Sequence, residues 1–213
     1  MIFNRFSSMA LSAAIFLAFG VSSGPAWCGE ATQEQNLALL KQIEADLVRK
    51  PGDLELQVRH MQALGVAGRF PDELRESEIL IAKYPKLRAA FKCKMFALVG
   101  LGNWSGALAS MDRVKALGPL SSSELATRGT ILASLGRYSE ALIDLNESIQ
   151  RNSSDAGAFF TRAECLFKTN GPSVDVVRNL EKTLKLDPDF PNAQKLLDYM
   201  NKRLSRVTTP SPR

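Results

Sequence analysis

The chain of 213 residues is 45% apolar and 23% charged, proportions of an ordinary globular protein. Its net charge of +5 is modest, and its Lys and Arg residues are scattered among Asp and Glu. The composition therefore argues against a dense basic surface for nucleic acid and favours a mixed-charge, solvated surface.

Residues 1–28 have the layout of a secretory signal sequence. Asn4 and Arg5 precede an apolar stretch over residues 9–19, and small residues follow as far as Ala26. The apolar stretch is shorter than the about 20 residues that a membrane-spanning helix needs. We predict export with cleavage after Ala26 or Cys28, which makes the mature protein periplasmic or secreted. The alternative is an uncleaved segment 1–28 that anchors the chain to a membrane.

The first predicted helix after this segment covers residues 33–49. Leu40, Ile43 and Leu47 recur at helical spacing on one face, and Pro51 closes the helix. Together, residues 33–53 read as the second half of a helical hairpin whose first half is missing.

Marker residues then recur with a period of 34, and one residue is inserted near Gly171. Ser153 takes the one proline slot that lacks proline. The period predicts four helical hairpins, which we call repeats 1 to 4, over residues 54–87, 88–121, 122–155 and 156–189. The markers are Pro51, Pro85, Pro119 and Pro188, Gly68, Gly102, Gly136 and Gly171, Leu64, Leu98, Leu132 and Leu166, and Phe70, Trp104 and Tyr138.

Repeat 3 shows how one period forms a hairpin. Ser121 to Ser123 offer an N-cap before Glu124, and Gly136 ends the first helix because glycine accepts a left-handed conformation. The second helix turns Ala141 and its apolar neighbours back onto the first. Small residues at Gly129 and Ser148 allow the two backbones to approach closely.

These residues resemble the tetratricopeptide repeat (TPR) family. In repeat 1, Gln57, Glu73 and Ser77 depart from the family pattern, so this repeat is the poorest match. The resemblance covers residues 33–205 and implies an all-α fold, a right-handed αα superhelix of about four hairpins between a leading helix and a C-terminal cap. The matching residues are Leu125, Gly129, Leu132, Ala141, Leu145 and Ser148 in repeat 3, Phe91, Leu98, Ala107, Met111 and Pro119 in repeat 2, and Phe159, Ala163, Leu166, Leu180 and Pro188 in repeat 4.

A last amphipathic helix is predicted over residues 192–205. Leu196, Leu197, Met200 and Leu204 share its apolar face, as expected of a helix that covers the end of a repeat array. The tail, residues 206–213, is predicted to be disordered.

The sequence offers no catalytic constellation, so we predict a non-enzymatic protein with no cofactor and no metal site. The only histidine, His60, falls in a helix-packing slot. Cys93 and Cys165 are predicted to lie two repeats apart, too far for a disulfide, and to be small buried residues. The glycines are turn residues at the repeat phase and do not form a phosphate-binding loop.

One slot that holds leucine in the family carries a cationic ladder here: His60, Lys94, Arg128 and Arg162. The ladder could bind an acidic ligand or could pair with acids of the scaffold. We favour pairing within each hairpin, with partners eighteen or nineteen residues ahead: Glu78, Asp112, Asn146 with Glu147, and Glu181.

In the TPR family the first helices line a concave surface. By that resemblance we predict a peptide-binding groove, "the predicted groove", that takes a protein or peptide partner. The lysines and asparagines with which some members clamp a C-terminal carboxylate are not all present, so no such clamp is expected. The predicted groove consists of Arg59, Gln62, Lys92, Phe96, Thr127, Thr130, Phe160, Glu164 and Phe167.

The sequence thus predicts an exported protein-interaction adaptor with a protein or peptide partner, no nucleic acid and no small-molecule substrate. Two alternatives remain open. One is a membrane-anchored assembly factor attached through residues 1–28. The other is a substrate-recruiting subunit of an enzyme complex.

Overall fold

A computed structural model describes residues 33–208, with side chains from Glu34 to Ser205. Ten α-helices and no strand occur in that part of the chain, which confirms the predicted all-α fold class. The chain divides into two compact bodies, whose described parts are residues 33–119 and 120–208. We call them the N-terminal and C-terminal bodies. The predicted signal segment 1–28 and residues 209–213 of the predicted tail lie outside the described residues.

The N-terminal body contains α1 as a single helix and two helical hairpins, α2 with α3 and α4 with α5. Asp53 caps α2, because its Oδ1 accepts a hydrogen bond from the Leu56 amide at 3.1 Å. Gly68 turns the chain into α3 with a φ of 74°, in the left-handed region that favours glycine. The helices are α1 (Gln33–Arg49), α2 (Leu54–Val66), α3 (Phe70–Lys83), α4 (Arg88–Gly100) and α5 (Trp104–Ala116).

The C-terminal body contains two further hairpins, α6 with α7 and α8 with α9, followed by α10. As the sequence predicts, Ser121 caps α6, and it forms a reciprocal capping box with Glu124. The helix α10 extends to Thr208, beyond the predicted cap helix 192–205. The helices are α6 (Ser122–Ser134), α7 (Tyr138–Arg151), α8 (Ala156–Asn170), α9 (Val174–Leu186) and α10 (Ala193–Thr208).

Repeat 1 forms a regular hairpin although its residues depart from the family pattern. The Glu73 side chain is buried against α2, where a Cβ added to Gly65 would lie 2.7 Å from Glu73 Oε2. The absence of a side chain at Gly65 therefore makes room for the large residue at Glu73. Burial raises the pKa of Glu73 to about 8, so this carboxyl is largely protonated at neutral pH.

The hairpin of repeat 3 is closely packed, as its small residues predict. A Cβ at Gly129 would lie 2.7 Å from Leu145 Cγ and 3.3 Å from the Ala141 carbonyl oxygen. Both distances are shorter than an ordinary van der Waals contact, so only glycine allows α6 and α7 to approach this far.

In the C-terminal body, α10 completes the core. Leu197 and Met200 on α10 pack with Val176 and Leu180 of α9 and with Phe190, which lies just before α10. The predicted apolar face of the cap helix therefore faces the protein interior. None of the helices between residues 33 and 208 combines the length and the apolar character needed to cross a membrane.

Candidate functional site

An open cleft of about 160 Å³ lies between α1 and α2 in the N-terminal body. Ile43 and Ala63 form its buried apolar floor. Leu39 and Val66 stand on its rim with 46% and 47% of their surfaces exposed. These two aliphatic side chains give the α1–α2 cleft apolar surface in contact with water. The lining residues are Asn36, Leu39, Ile43, Arg59, Gln62, Ala63 and Val66.

Three polar side chains surround this apolar surface: Asn36, Arg59 and Gln62. Within residues 33–208, none of the three forms a side-chain hydrogen bond or an ion pair. Arg59 and Gln62 are both exposed. The cleft thus combines aliphatic contact area with hydrogen-bonding groups that the rest of the fold does not use.

Two other residues of the predicted groove, Lys92 and Phe96, also lie in the N-terminal body. They stand one turn apart on α4, and both are half-buried. They do not line the α1–α2 cleft.

The groove threonines, Thr127 and Thr130, lie in the C-terminal body on α6 and are buried. Each hydroxyl donates to a backbone carbonyl four residues earlier, Thr127 to Ser123 at 2.9 Å and Thr130 to Ala126 at 3.0 Å. The hydroxyl protons are therefore already used within the helix.

The remaining residues of the predicted groove lie on α8 and pack toward the C-terminal core. Phe160 is 3% exposed, and its ring centroid lies 4.9 Å from that of Phe190. Phe167 is half-buried and meets Tyr199 of α10 edge-on at 6.3 Å. The structure thus gives Phe160 a core role, and α10 covers part of Phe167.

Glu164 lies on α8 between these two phenylalanines and is half-buried. Burial raises the pKa of its carboxyl to about 7, and the nearby positive charge of Lys168 acts against that rise. Glu164 therefore changes charge near neutral pH.

Arg59 and Gln62 belong to the predicted groove, whereas Asn36 and Leu39, which complete the same cleft, do not. A sequence signal for them exists. The repeat phase makes residues 33–53 the second half of a hairpin, and within residues 33–208 no first helix covers the corresponding side of α1. Leu39 stands on that side of α1.

The cationic ladder pairs with the scaffold. Arg128 Nη1 lies 2.7 Å from Asp144 Oδ2, and these side chains are 15% and 8% exposed. Lys94 Nζ lies 2.8 Å from Glu78 Oε1, and His60 Nδ1 lies 2.8 Å from Glu76 Oε2.

Arg162 donates to two neutral amide oxygens, Asn179 Oδ1 at 2.8 Å and Asn146 Oδ1 at 3.1 Å. Desolvation lowers the pKa of Arg162, and the charge of Asp175 partly opposes this. The ladder therefore pairs within the fold, as predicted, but not always within one hairpin. Lys94 of repeat 2 pairs with Glu78 of repeat 1, and the partners of Arg162 are amides and not acids.

The predicted register of these pairs was wrong. Contacts run 16 residues ahead for His60 and Arg128, and 16 residues behind for Lys94. The cause is the turn, because residues equally distant from it face each other in an antiparallel hairpin. Gly136 lies midway between Arg128 and Asp144. The inserted residue of repeat 4 lengthens the corresponding step of Arg162 to 17.

His60, Cys93 and Cys165 pack within the fold. The Nδ1 contact of His60 with Glu76 ties α2 to α3, as expected of a packing residue. Cys93 and Cys165 are free and buried, and burial raises the pKa of both thiols to about 12. In the described part of the chain, no three His, Cys, Asp or Glu residues are grouped to hold a metal ion.

Comparison with solved structures identifies the fold. A thermophilic TPR protein of Thermus thermophilus superposes with a TM-score of 0.64 at 16% identity, over 92% of this chain and 99% of that chain. The chain has the tetratricopeptide-repeat fold. No model of a known protein family matches the sequence, and no curated protein matches it.

Two further structures share the TPR fold. YrrB, described as a TPR protein with an unusual peptide-binding site, gives a TM-score of 0.64 at 14% identity, over 79% of this chain and 87% of its own. A TPR protein from Parabacteroides merdae gives 0.64 at 13% identity, over 92% of this chain and 75% of its own. Identities this low establish the TPR fold of the present chain and leave its partner to be inferred from its own residues.

Proposed function

We propose that this protein is a non-enzymatic interaction scaffold that binds a protein or peptide through the first helices of its N-terminal body. The supporting observation is the unused polar and apolar surface of the α1–α2 cleft. Arg59 and Gln62 have no partner within residues 33–208, beside Val66, which is 47% exposed. Peptide recognition by helical grooves uses this combination, with aliphatic contacts for affinity and polar groups for orientation.

The cationic ladder does not contribute to this binding surface, because its charges are directed to partners within the fold. Arg128 is bound to Asp144, and Lys94 to Glu78. An acidic ligand would have to displace those pairs, whereas Arg59 is available without such displacement. Arg59 is therefore the cation with which the scaffold orients its partner.

The compartment in which the scaffold works is proposed to be the exported one, on the basis of the signal layout of residues 1–28. The alternative is attachment to a membrane through the same segment. Mass spectrometry of the mature N-terminus separates the two. A mature chain that begins near residue 27 or 29 supports release, and a mature chain that retains residues 1–28 supports anchoring.

Affinity capture from the exported fraction tests the scaffold proposal. Wild type should retain at least one protein that Arg59→Glu loses. Matched controls are Ile79→Ser and Ile143→Ser, whose side chains are 60% and 67% exposed on second helices. Circular dichroism melting verifies that all variants are folded. Identical protein sets for wild type and Arg59→Glu would contradict the proposal.

A further inference from the structure

The residues that correspond to Leu39 in the 34-residue period are buried in every complete repeat. Glu73, Ala107, Ala141 and Val176 stand in the equivalent slots of repeats 1 to 4 and are at most 1% exposed, whereas Leu39 is 46% exposed. In repeat 1 this slot is covered by the first helix, α2, since Gly65 on α2 faces Glu73. Leu39 is exposed because no first helix precedes α1 within residues 33–208.

A second slot shows the same contrast. Arg59 corresponds to Cys93, Thr127 and Thr161, which are 5%, 2% and 2% exposed and uncharged. In repeat 2, Cys93 packs with Met61 and Leu80, which belong to the preceding repeat. Within residues 33–208 only the single helix α1 precedes α2, and Arg59 is exposed.

Leu39 and Arg59 both line the α1–α2 cleft, so these two exposed repeat positions are parts of one surface. The first helix of a complete hairpin would lie against this surface. The first helices of repeats 1 to 3, α2, α4 and α6, are 13 residues long, and that of repeat 4, α8, has 15. The cleft therefore suits a helix of about this length. A small residue on the side of that helix facing α1 would permit the close approach that Gly65 allows toward Glu73 in repeat 1 and Gly129 allows toward Leu145 in repeat 3.

The residue types that precede α1 differ from those of the four first helices. Residues 20–32 include Pro25 and three glycines, and proline in a helix interior removes a hydrogen bond and clashes with the preceding turn. Trp27 falls in the slot where the four repeats have Met61, Met95, Gly129 and Ala163. These residue types favour a helix from another protein.

The positive charge of Arg59 indicates the charge that the docked helix should carry at their contact. The residues in its slot in repeats 2 to 4 are uncharged and buried, whereas Arg59 brings a guanidinium that a docked helix would cover. A covered guanidinium needs an acceptor, and a carboxylate gives the strongest hydrogen bonds to it. We infer that the α1–α2 cleft binds an amphipathic helix of a partner protein, which occupies the position of a first helix before α1 and directs a carboxylate to Arg59. This inference rests on the proposed function and specifies the partner's chemistry.

Thiol labelling of the full-length chain tests the inference directly. Leu39→Cys places a thiol on the rim of the cleft, and Ile79→Cys is the control, on an exposed position of α3 outside the cleft lining. Both are made with Cys28→Ser, and the native Cys93 and Cys165 are buried. Without a ligand, the two new thiols should react with a maleimide at rates within about threefold of each other, as exposed thiols do.

The probe is a helix-stapled peptide with the sequence of residues 122–134, because Gly129 and Ala133 are small on the side that would face Leu39 and Ile43. Three acidic versions carry Glu in turn at the positions of Thr127, Thr130 and Ser134. At saturation, the best acidic peptide should slow labelling of Leu39→Cys at least about tenfold and leave Ile79→Cys unchanged. Arg59→Glu should weaken that peptide at least about fivefold and leave the parent peptide's affinity unchanged.

Three results would overturn the inference. The first is slow labelling of Leu39→Cys in the absence of peptide, because something would then already cover the cleft. Protection that is independent of protein concentration would point to the chain's own residues, and protection that grows with protein concentration would point to a second copy. The others are no protection by any peptide and equal affinity of acidic and parent peptides. Failure of the proposed function is seen separately, as the absence of any partner captured by wild type.

Discussion

Glu73 and Gly65 pack directly against each other across the first hairpin, and a methyl group at Gly65 would lie 2.7 Å from a carboxyl oxygen of Glu73. The two residues depart together from the pattern of the other repeats. The slot of Glu73 holds Ala107 in repeat 2 and Ala141 in repeat 3. The large residue on α3 is thus accommodated by a missing side chain on α2.

The effect of Gly65→Ala should depend on residue 73. Alone, the added methyl group overpacks the interface and should lower the free energy of unfolding by about 1–3 kcal/mol. With Glu73→Ala present, the clash is removed, and alanine should instead stabilise α2 by about 0.5–1 kcal/mol relative to glycine. Urea denaturation of the four proteins of this double-mutant cycle measures the coupling. Equal effects of Gly65→Ala in both backgrounds would contradict the contact.

The two buried carboxyls predict a pH dependence of stability. Burial raises the pKa of Glu73 to about 8 and that of Glu164 to about 7, from an ordinary value of 4.5. Between these values the folded protein retains protons that the unfolded chain releases. The free energy of unfolding should therefore fall as pH rises through this window, by at most about 1.4 kcal/mol per pH unit for each group.

Glu73→Gln tests this pH dependence, because the amide cannot lose a proton. Urea denaturation between about pH 5 and pH 8 should show a shallower fall of stability for the variant than for wild type. The lowered pKa values of Asp72 and Glu140 act at lower pH and do not enter this window. A wild-type slope that persists in Glu73→Gln would show that Glu73 is ionised in the fold.

The ion pairs of the cationic ladder should differ in how much they stabilise the fold. Asp144→Ala removes the acidic partner of the shielded Arg128 and should lower the free energy of unfolding by about 3 kcal/mol. Glu78→Ala removes the partner of Lys94 from a pair whose acid is 53% exposed, and should cost at most about 1 kcal/mol. Chemical denaturation of the two variants gives the comparison. Equal costs would mean that burial does not set the strength of these pairs.

Substitution of Phe160 tests whether this residue belongs to the core or to a ligand-binding surface. Because its ring is 3% exposed and packs on Phe190, Phe160→Ala should lower the free energy of unfolding by about 3–5 kcal/mol. Phe96→Ala, at a half-buried position of α4, should cost less. Thermal melts of the two variants make the comparison. A Phe160→Ala variant with wild-type stability would return this residue to the list of binding candidates.

The fold was predictable because its markers are local. Gly136 and Ser121 act through their own backbone conformation and caps, which sequence reveals directly. The partners of the ladder residues were harder to predict. If the centre of the turn shifts by one residue, the residue that faces a given ladder position changes by two. That shift is why Asp144, and not Asn146, faces Arg128.

The binding surface was predictable only in part, for a physical reason. A repeat pattern assigns a residue to a helix side but does not say what lies against that side. Phe160 and Arg59 were both placed in the predicted groove, yet Phe160 is covered by Phe190 and Arg59 is uncovered. Only the packing around each of the two residues decides which of them is available to a partner.

The most direct test of partner binding by the N-terminal body is photo-crosslinking in the producing cell. A benzophenone side chain replaces Val66 on the rim of the α1–α2 cleft, and in a control protein it replaces Ile79 on α3. We predict that the Val66 position forms a covalent product with a specific protein and that the Ile79 position does not. Identical products from both positions, or none from Val66, would contradict binding at this surface.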